Sequence, residues 1–226
     1  RDIGSMVGRD PIAIAATHDI ANVFSDSDVI IDFSLPDAFT EILSMAVKTS
    51  TPIVIGTTGL TKMQEDTIND AARTIALVYA SNTSLGINLL FAIIEQISKA
   101  LPTDFDIDIL DFHHNKKIDA PSGTALSLGK AAAKGREMNF DEVAKLSREG
   151  EVGCRPSGEI GFAALRGGNV IGEHSVIFAG AGERLEVSHK TSGREIYAAG
   201  ALRAAHWVSN QSNGLYSMRD VLGLTV

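Results

Sequence analysis

Asp28-Val29-Ile30-Ile31-Asp32-Phe33-Ser34-Leu35-Pro36, followed by Pro52-Ile53-Val54-Ile55-Gly56-Thr57-Thr58-Gly59, is the stretch that decides the fold class. Each half is a short β-branched run that stops at a polar or glycine-rich turn, which is how a strand buried on both faces reads. Between them, Asp37 to Lys48 sets Ile42, Leu43, Ala46 and Val47 on one helical face. Thr61-Lys62-Met63-Gln64 has the spacing of a capping box and opens a second helix. Ile75 to Tyr79 reads as a third strand, ending in Ala80-Ser81-Asn82-Thr83-Ser84. After Gly86, residues Ile87, Leu90, Phe91, Ile94, Ile97 and Leu101 recur at spacings of three and four, as in a long amphipathic helix. Strand and helix alternate, and that predicts βαβ units around a parallel sheet.

Beyond this the pattern changes. Asp104 to Phe112 alternates acidic and apolar residues, predicting a strand with one solvated face, and Thr124 to Lys134 reads as a short helix. From Gly158 to Lys190 the chain is β-rich, with strands expected at Phe162–Leu165, Val170–Phe178 and Arg184–Ser188. Turns are expected at Gly167-Gly168 and Ala179 to Gly182. A last amphipathic helix, Arg194 to Val208, precedes a tail through Gly214 to Leu222. The fold class expected is α/β: a parallel-sheet domain over 1–84 completed by a return segment, 194–226, and a second α+β domain over 85–193 with a mixed, largely antiparallel sheet. At the start, Ile12 to Ala16 reads as a weak strand followed by His18-Asp19, without a Gly-x-Gly-x-x-Gly phosphate loop. Either the fold is not dinucleotide-binding, or its opening βαβ unit is missing from this sequence.

The bulk properties narrow the function class. The sequence has 226 residues, 44% of them hydrophobic, enough for one large or two small cored domains. No apolar run approaches the ~20 residues that span a bilayer, and the first residues lack the apolar stretch of a secretory signal. A net charge of −8 argues against a nucleic-acid partner. Cys154, the single cysteine, excludes an intrachain disulfide and fits a reducing compartment, so a cytoplasmic enzyme is expected.

In an open parallel sheet, ligands bind beyond the carboxyl ends of the strands. Phe33-Ser34, Gly56 to Gly59 and Ser81 to Ser84 all fall there, although Gly-Thr-Thr-Gly reads equally as a tight βα turn. The segment His113-His114-Asn115-Lys116-Lys117-Ile118-Asp119-Ala120-Pro121-Ser122-Gly123-Thr124 says more. It gathers imidazoles and ammonium groups at a strand end, just before a helix start whose unpaired N–H groups favour an anion. Histidine or lysine there can donate a proton. The alternative is a solvated basic loop before a capped helix. His174 and His189 read as satisfied sheet histidines, and His206, beside Trp207, as packing. No Cys/His spacing suggests a metal, so none is expected.

With the segments Asp32-Phe33-Ser34, Gly56-Thr57-Thr58-Gly59, Ser81-Asn82-Thr83-Ser84, His113 to Thr124, Ser147 to Gly150, Gly158 to Phe162, Leu165 to Gly168, Gly172-Glu173-His174 and Gly214 to Leu222 in order, the chain resembles the 4-hydroxy-tetrahydrodipicolinate reductase (dihydrodipicolinate reductase) family of lysine and diaminopimelate biosynthesis. The resemblance implies an N-terminal Rossmann-like domain and a C-terminal domain whose sheet builds a homotetramer. It implies NADH or NADPH as hydride source and a small dicarboxylate as substrate, reduced at C4 with loss of water. It implies His113 as catalytic histidine and Lys117 as proton donor. Substrate carboxylates would be held by His114, Lys117, Ser122, Gly123 and Thr124. The dinucleotide would be lined by Phe33, Gly56, Thr57, Thr58, Ser81, Asn82, Thr83 and Ser84. Leu35 stands where some members carry a basic residue, and the family's opening strand, glycine loop, helix and second strand have no counterpart here. A chain truly lacking them would be expected to be inactive. A non-catalytic binding protein on this scaffold and a reductase of another substrate are the rival readings.

Overall fold

The computed structural model describes residues 1–224. In chain order the elements are α1 (Ile3–Met6), α2 (Ile20–Ser25), β1 (Ile30–Asp32), α3 (Pro36–Thr49), β2 (Ile53–Ile55), α4 (Lys62–Ala71), β3 (Ala76–Tyr79), α5 (Leu85–Ala100), β4 (Asp106–His113), α6 (Gly123–Gly135), α7 (Phe140–Val143), β5 (Ala144–Lys145), β6 (Ile160–Arg166), β7 (Gly172–Ala179), β8 (Arg184–Thr191), α8 (Glu195–Val208), β9 (Gly214–Tyr216) and α9 (Met218–Val221). They form two compact units. The first joins Arg1–Ser81 to Leu202–Ser217, and the second joins Asn82–Ala201 to the chain from Met218 onward.

In the first unit, β1-β2-β3-β9 make a four-stranded, wholly parallel sheet. Ile53, Ile55 and Leu77 pack with Phe39, Leu43 and Ala46 of α3 and Ile68 and Ala71 of α4. Val54 and Val78, on the alternate face, are equally buried, as a parallel sheet covered on both sides requires. Thr61 caps α4 with the expected box, its side chain accepting from the Gln64 N–H while Gln64 reaches back to the Thr61 N–H. Ile12–Ala16 does not form the expected strand. It contributes only an isolated bridge, Asp2 to Ala15, because the preceding residues turn into α1, capped by Asp2.

In the second unit the five-stranded sheet runs β5-β6-β4-β7-β8. β6 lies parallel to β4, whereas β7 is antiparallel to both β4 and β8, so the sheet is mixed. Ile107, Ile109, Ile160, Phe162, Val176 and Phe178 line its inner face against Leu90 and Ile94 of α5 and Ala125, Leu128 and Ala132 of α6. Each such large aliphatic side chain contributes roughly 1.5–3 kcal/mol by leaving water. The opposite face carries Leu110, Phe112, Ala163, Leu165 and Ile177, none of them fully buried.

The units divide at positions other than 84 and 193. Residues 82–84 side with the second unit because Asn88 donates to the carbonyls of Asn82 and Ser84 and Thr83 donates to the carbonyl of Tyr197. α9 also belongs there, its Arg219 paired with Glu95 of α5 at 2.5 Å. The tail that was expected to complete the first domain is therefore shared. Residues 225 and 226 of that segment lie outside the described residues. His206 is exposed and not packed; Trp207 makes the ring contact, edge-on to Tyr216 at 5.0 Å between centroids.

α8 comes so close to the 82–84 segment that a Cβ on Gly200 would stand 1.8 Å from the Thr83 carbonyl oxygen. Helix propensity alone would make Gly200→Ala stabilising by about 1 kcal/mol, but a backbone collision outweighs it. Gly200→Ala is expected to lower the thermal unfolding midpoint, while Gly182→Ala, which meets nothing within 4 Å, leaves it unchanged. A rise for Gly200→Ala would refute the close approach.

Candidate active site

The site in the second unit grows from strand parity. In β4 the side chains alternate, and Ile107 and Ile109 point into the core. Counting on by two places Asp111 and His113 on that same inner side. Asp111 is consequently fully buried. This corrects the expectation that the acidic residues of Asp104–Phe112 all face solvent: Asp106 and Asp108 lie on the outer side, and Asp111 does not.

A buried carboxylate demands partners, and four elements supply them. Oδ2 accepts from the Ser122 backbone N–H at 2.8 Å and from Arg166 Nη2 at 3.2 Å. Oδ1 lies 2.6 Å from His113 Nδ1 and 3.6 Å from His174 Nε2. The two atoms approach closely without an aligned hydrogen bond between them. Burial by itself would push the Asp111 carboxyl up; the Ser122 N–H, His113, the Ser122 hydroxyl and Arg166 together hold it below the ordinary carboxylate value. Arg166 also donates to the Asp119 carbonyl at 2.7 Å, tying the 114–121 loop to β6.

Ser122 is buried and caps α6, accepting from the Ala125 N–H at 3.2 Å; its hydroxyl also meets His174 Nε2 at 3.1 Å. The N–H groups of Gly123 and Thr124 make no hydrogen bond among the described residues, and nothing covers the Gly123 Cβ direction. An anion can therefore reach the helix N-terminus. Of the two adjacent lysines, Lys116 is exposed and Lys117 is turned in, paired with Asp119 Oδ1 at 2.9 Å. Burial lowers the His113 pKa, Asp111 opposes this, and Lys117 and Arg166 reinforce it. His174, packed edge-on against His113 at 5.1 Å, is pushed down to about 4, chiefly by burial. His114 is half-buried, with Nδ1 enclosed and unpartnered among the described residues.

Sequence spacing suggested no metal site, yet Asp111, His113 and His174 offer ligand atoms within 4.8 Å of one another. Lys117 and Arg166 act on the same point with positive charge, which disfavours a divalent cation. Neither Asp111 nor Arg166 stands out in the sequence as a site residue. Parity within β4 points to the first; the second depends on the register that sets Arg166 beside His113 across two parallel strands.

In the first unit a second buried carboxylate, Asp32, shapes the strand ends. It accepts from the Thr57 hydroxyl and the Ser34 N–H, each at 2.9 Å. Gly56 lies under the Phe33 ring, where a Cβ would come within 2.4 Å of a ring carbon. Phe33 is 53% exposed, and Thr58 and Ser81 also present exposed side chains, whereas Thr57 is buried. Among the expected cofactor residues in the second unit, the Thr83 hydroxyl is engaged by Tyr197, Ser84 caps α5, and Asn82 Nδ2 reaches Thr124 Oγ1 at 3.4 Å.

Residues 1–83 match the family described as dihydrodipicolinate reductase, N-terminus, and residues 86–222 match its C-terminus. The chain belongs to the dihydrodipicolinate reductase family. The 4-hydroxy-tetrahydrodipicolinate reductases of Bartonella tribocorum and Rhizobium rhizogenes are each 48% identical to it, over 99% and 100% of this chain and 83% and 82% of theirs. That of Parvibaculum lavamentivorans is 46% identical over 99% of this chain and 83% of its own. Among solved structures, dipicolinate-bound dihydrodipicolinate reductase from Paenisporosarcina sp. TG-14 shares the fold, with a TM-score of 0.73 at 24% identity, covering 96% of this chain and 84% of that one. No helix of this reductase, among the described residues, is long and apolar enough to cross a membrane.

Protonation of His174 opposes folding. Its folded pKa, about 4, lies below the ordinary 6.5, so the unfolded chain binds the proton first. The stability this neutral imidazole contributes is complete above pH 6.5 and is lost as pH falls toward 4, on the order of 3 kcal/mol. His113 and His189 are shifted the same way. Denaturant unfolding between pH 7 and 4 is expected to show this decline, and His174→Gln to flatten it. An equally steep decline in the variant would contradict the assignment.

Proposed function

We propose that this reductase converts 4-hydroxy-tetrahydrodipicolinate to tetrahydrodipicolinate with loss of water, in the route to diaminopimelate and lysine. The observation that carries the reading is the convergence of His113, Lys117 and the open N-terminus of α6 at the carboxyl end of β4. A substrate bearing two carboxylates needs cationic and N–H partners, and a protein of net charge −8 concentrates them here. Gly123 and Thr124 offer backbone N–H groups and Thr124 a hydroxyl, while Lys117 and His114 come from the loop between β4 and α6. Ser122 acts by capping, since its own hydroxyl is already engaged.

The residues present fit part of a nicotinamide dinucleotide. Parallel strand ends expose the Phe33 ring, Thr58 and Ser81, and Gly56 leaves the space that ring fills. NADH or NADPH, when bound, supplies the hydride that goes to C4 as the hydroxyl leaves; one proton must be delivered to make water. The lowered His113 pKa favours a neutral imidazole in the free site, so the role of first proton donor falls to Lys117. A dianionic substrate would raise His113 again, making it a second donor.

Purified protein is expected to oxidise NADH or NADPH only when substrate is present; no such oxidation with either cofactor overturns the reading. Lys117→Ala is expected to lower kcat by about 10²- to 10⁴-fold and to leave the cofactor Kd unchanged. Equal loss of both would assign Lys117 a structural role.

The same proposal extends to assembly. The outer face of the five-stranded sheet, with Leu110, Phe112, Ala163, Leu165 and Ile177, suits a second copy of the chain in a homotetramer. Sedimentation should give a tetramer, and Leu165→Asp a smaller species. A wild-type monomer would refute this.

A further inference from the structure

Asp111 would not itself reach a substrate held at α6, because it is fully buried beneath His113. An apolar residue in its place would strand the Ser122 N–H, the Arg166 guanidinium and the His113 ring together. On the other side of the ring, Gly172 of β7 has no side chain, and a Cβ there would stand 3.1 Å from His113 Nε2. The imidazole is thus approached by charge at Nδ1 and left uncrowded at Nε2.

We propose that Asp111 is the positioning residue of His113: its carboxylate keeps the proton on Nδ1, leaving Nε2, beside Gly172, as the nitrogen that exchanges protons with the reacting molecule. This deepens the reductase reading and rests on His113 acting there. Every charge facing the ring belongs to the device. Asp111 comes from its own strand, Arg166 from β6 and Lys117 from the loop after β4, while the uncharged His174 ring of β7 packs edge-on. Only Asp111 among them favours the imidazolium, and the Ser122 N–H, with Arg166 contributing, favours the ionised Asp111. In the free protein the Nδ1–Oδ1 approach of 2.6 Å is not an aligned hydrogen bond, and catalytic hydrogen bonds commonly tighten only when substrate binds.

The test uses protein with ¹⁵N-labelled histidine, the His113 signals being assigned by their loss in His113→Gln. In Asp111→Asn, the His113 titration is expected to move to lower pH and its tautomer to shift away from Nδ1–H. kcat/KM is expected to fall by about 10- to 100-fold, as when the partner orienting a functional histidine is removed, while cofactor Kd is unchanged. Asp111→Glu should restore part of both. A folded Asp111→Asn protein with an unchanged His113 titration and tautomer overturns the proposal. If Asp111→Asn does not fold, Gly172→Ala carries the test: turnover should drop and the Nε2 signal move without loss of thermal stability, and no change in either overturns it. Altered His113 signals in a chain without reductase activity would uphold the positioning role and reject only the reductase reading.

Discussion

The buried carboxylate of Asp111 is the constraint on which the second unit's site is built. An ionised group out of water costs several kcal/mol unless it is paired and hydrogen-bonded. The chain meets this from four directions: the first turn of α6 through Ser122, β6 through Arg166, β4 itself through His113, and β7 through His174. Each partner is thereby fixed in place. The helix whose free N–H groups would meet a carboxylate starts where it does because Ser122 is held from both its backbone and its hydroxyl. The loop carrying Lys117 is tied through the Asp119 carbonyl to the same arginine.

The first unit repeats the device on a smaller scale. Asp32, at the carboxyl end of β1, is buried and fixes the Ser34 N–H and the Thr57 hydroxyl. In both units a carboxylate at a strand end orders a loop that is expected to meet a ligand, so the loop's shape does not depend on that ligand. In the second unit burial keeps the neighbouring imidazoles neutral, although Asp111 itself favours their protonated form.

Much of this was legible in order along the chain. The β-branched runs, the capping box at Thr61 and the three-four spacing after Gly86 each report on local structure, and each lies where the sequence put it. The His113–Thr124 segment showed by composition a cluster of imidazoles and ammonium groups at a helix start, and its N-cap was readable at Ser122. Ile12–Ala16 misled because a weak apolar run cannot choose a strand without a neighbour to pair with. His206 misled because adjacency to Trp207 says nothing about which helical face is turned in.

The sequence by itself determined the alternating α/β order, the placing of the longer helices and the residue types of the candidate site, because these follow from patterns within a few residues; its ordered motifs carried the family resemblance. Only the tertiary structure decided which of the acidic residues in β4 is the buried one that matters, and that Arg166 and His174 are its neighbours. Those facts depend on strand order and register, which bring β6 and β7 to either side of β4. No local pattern specifies such a pairing; it is set by which arrangement buries Ile107 and Ile109 while satisfying Asp111.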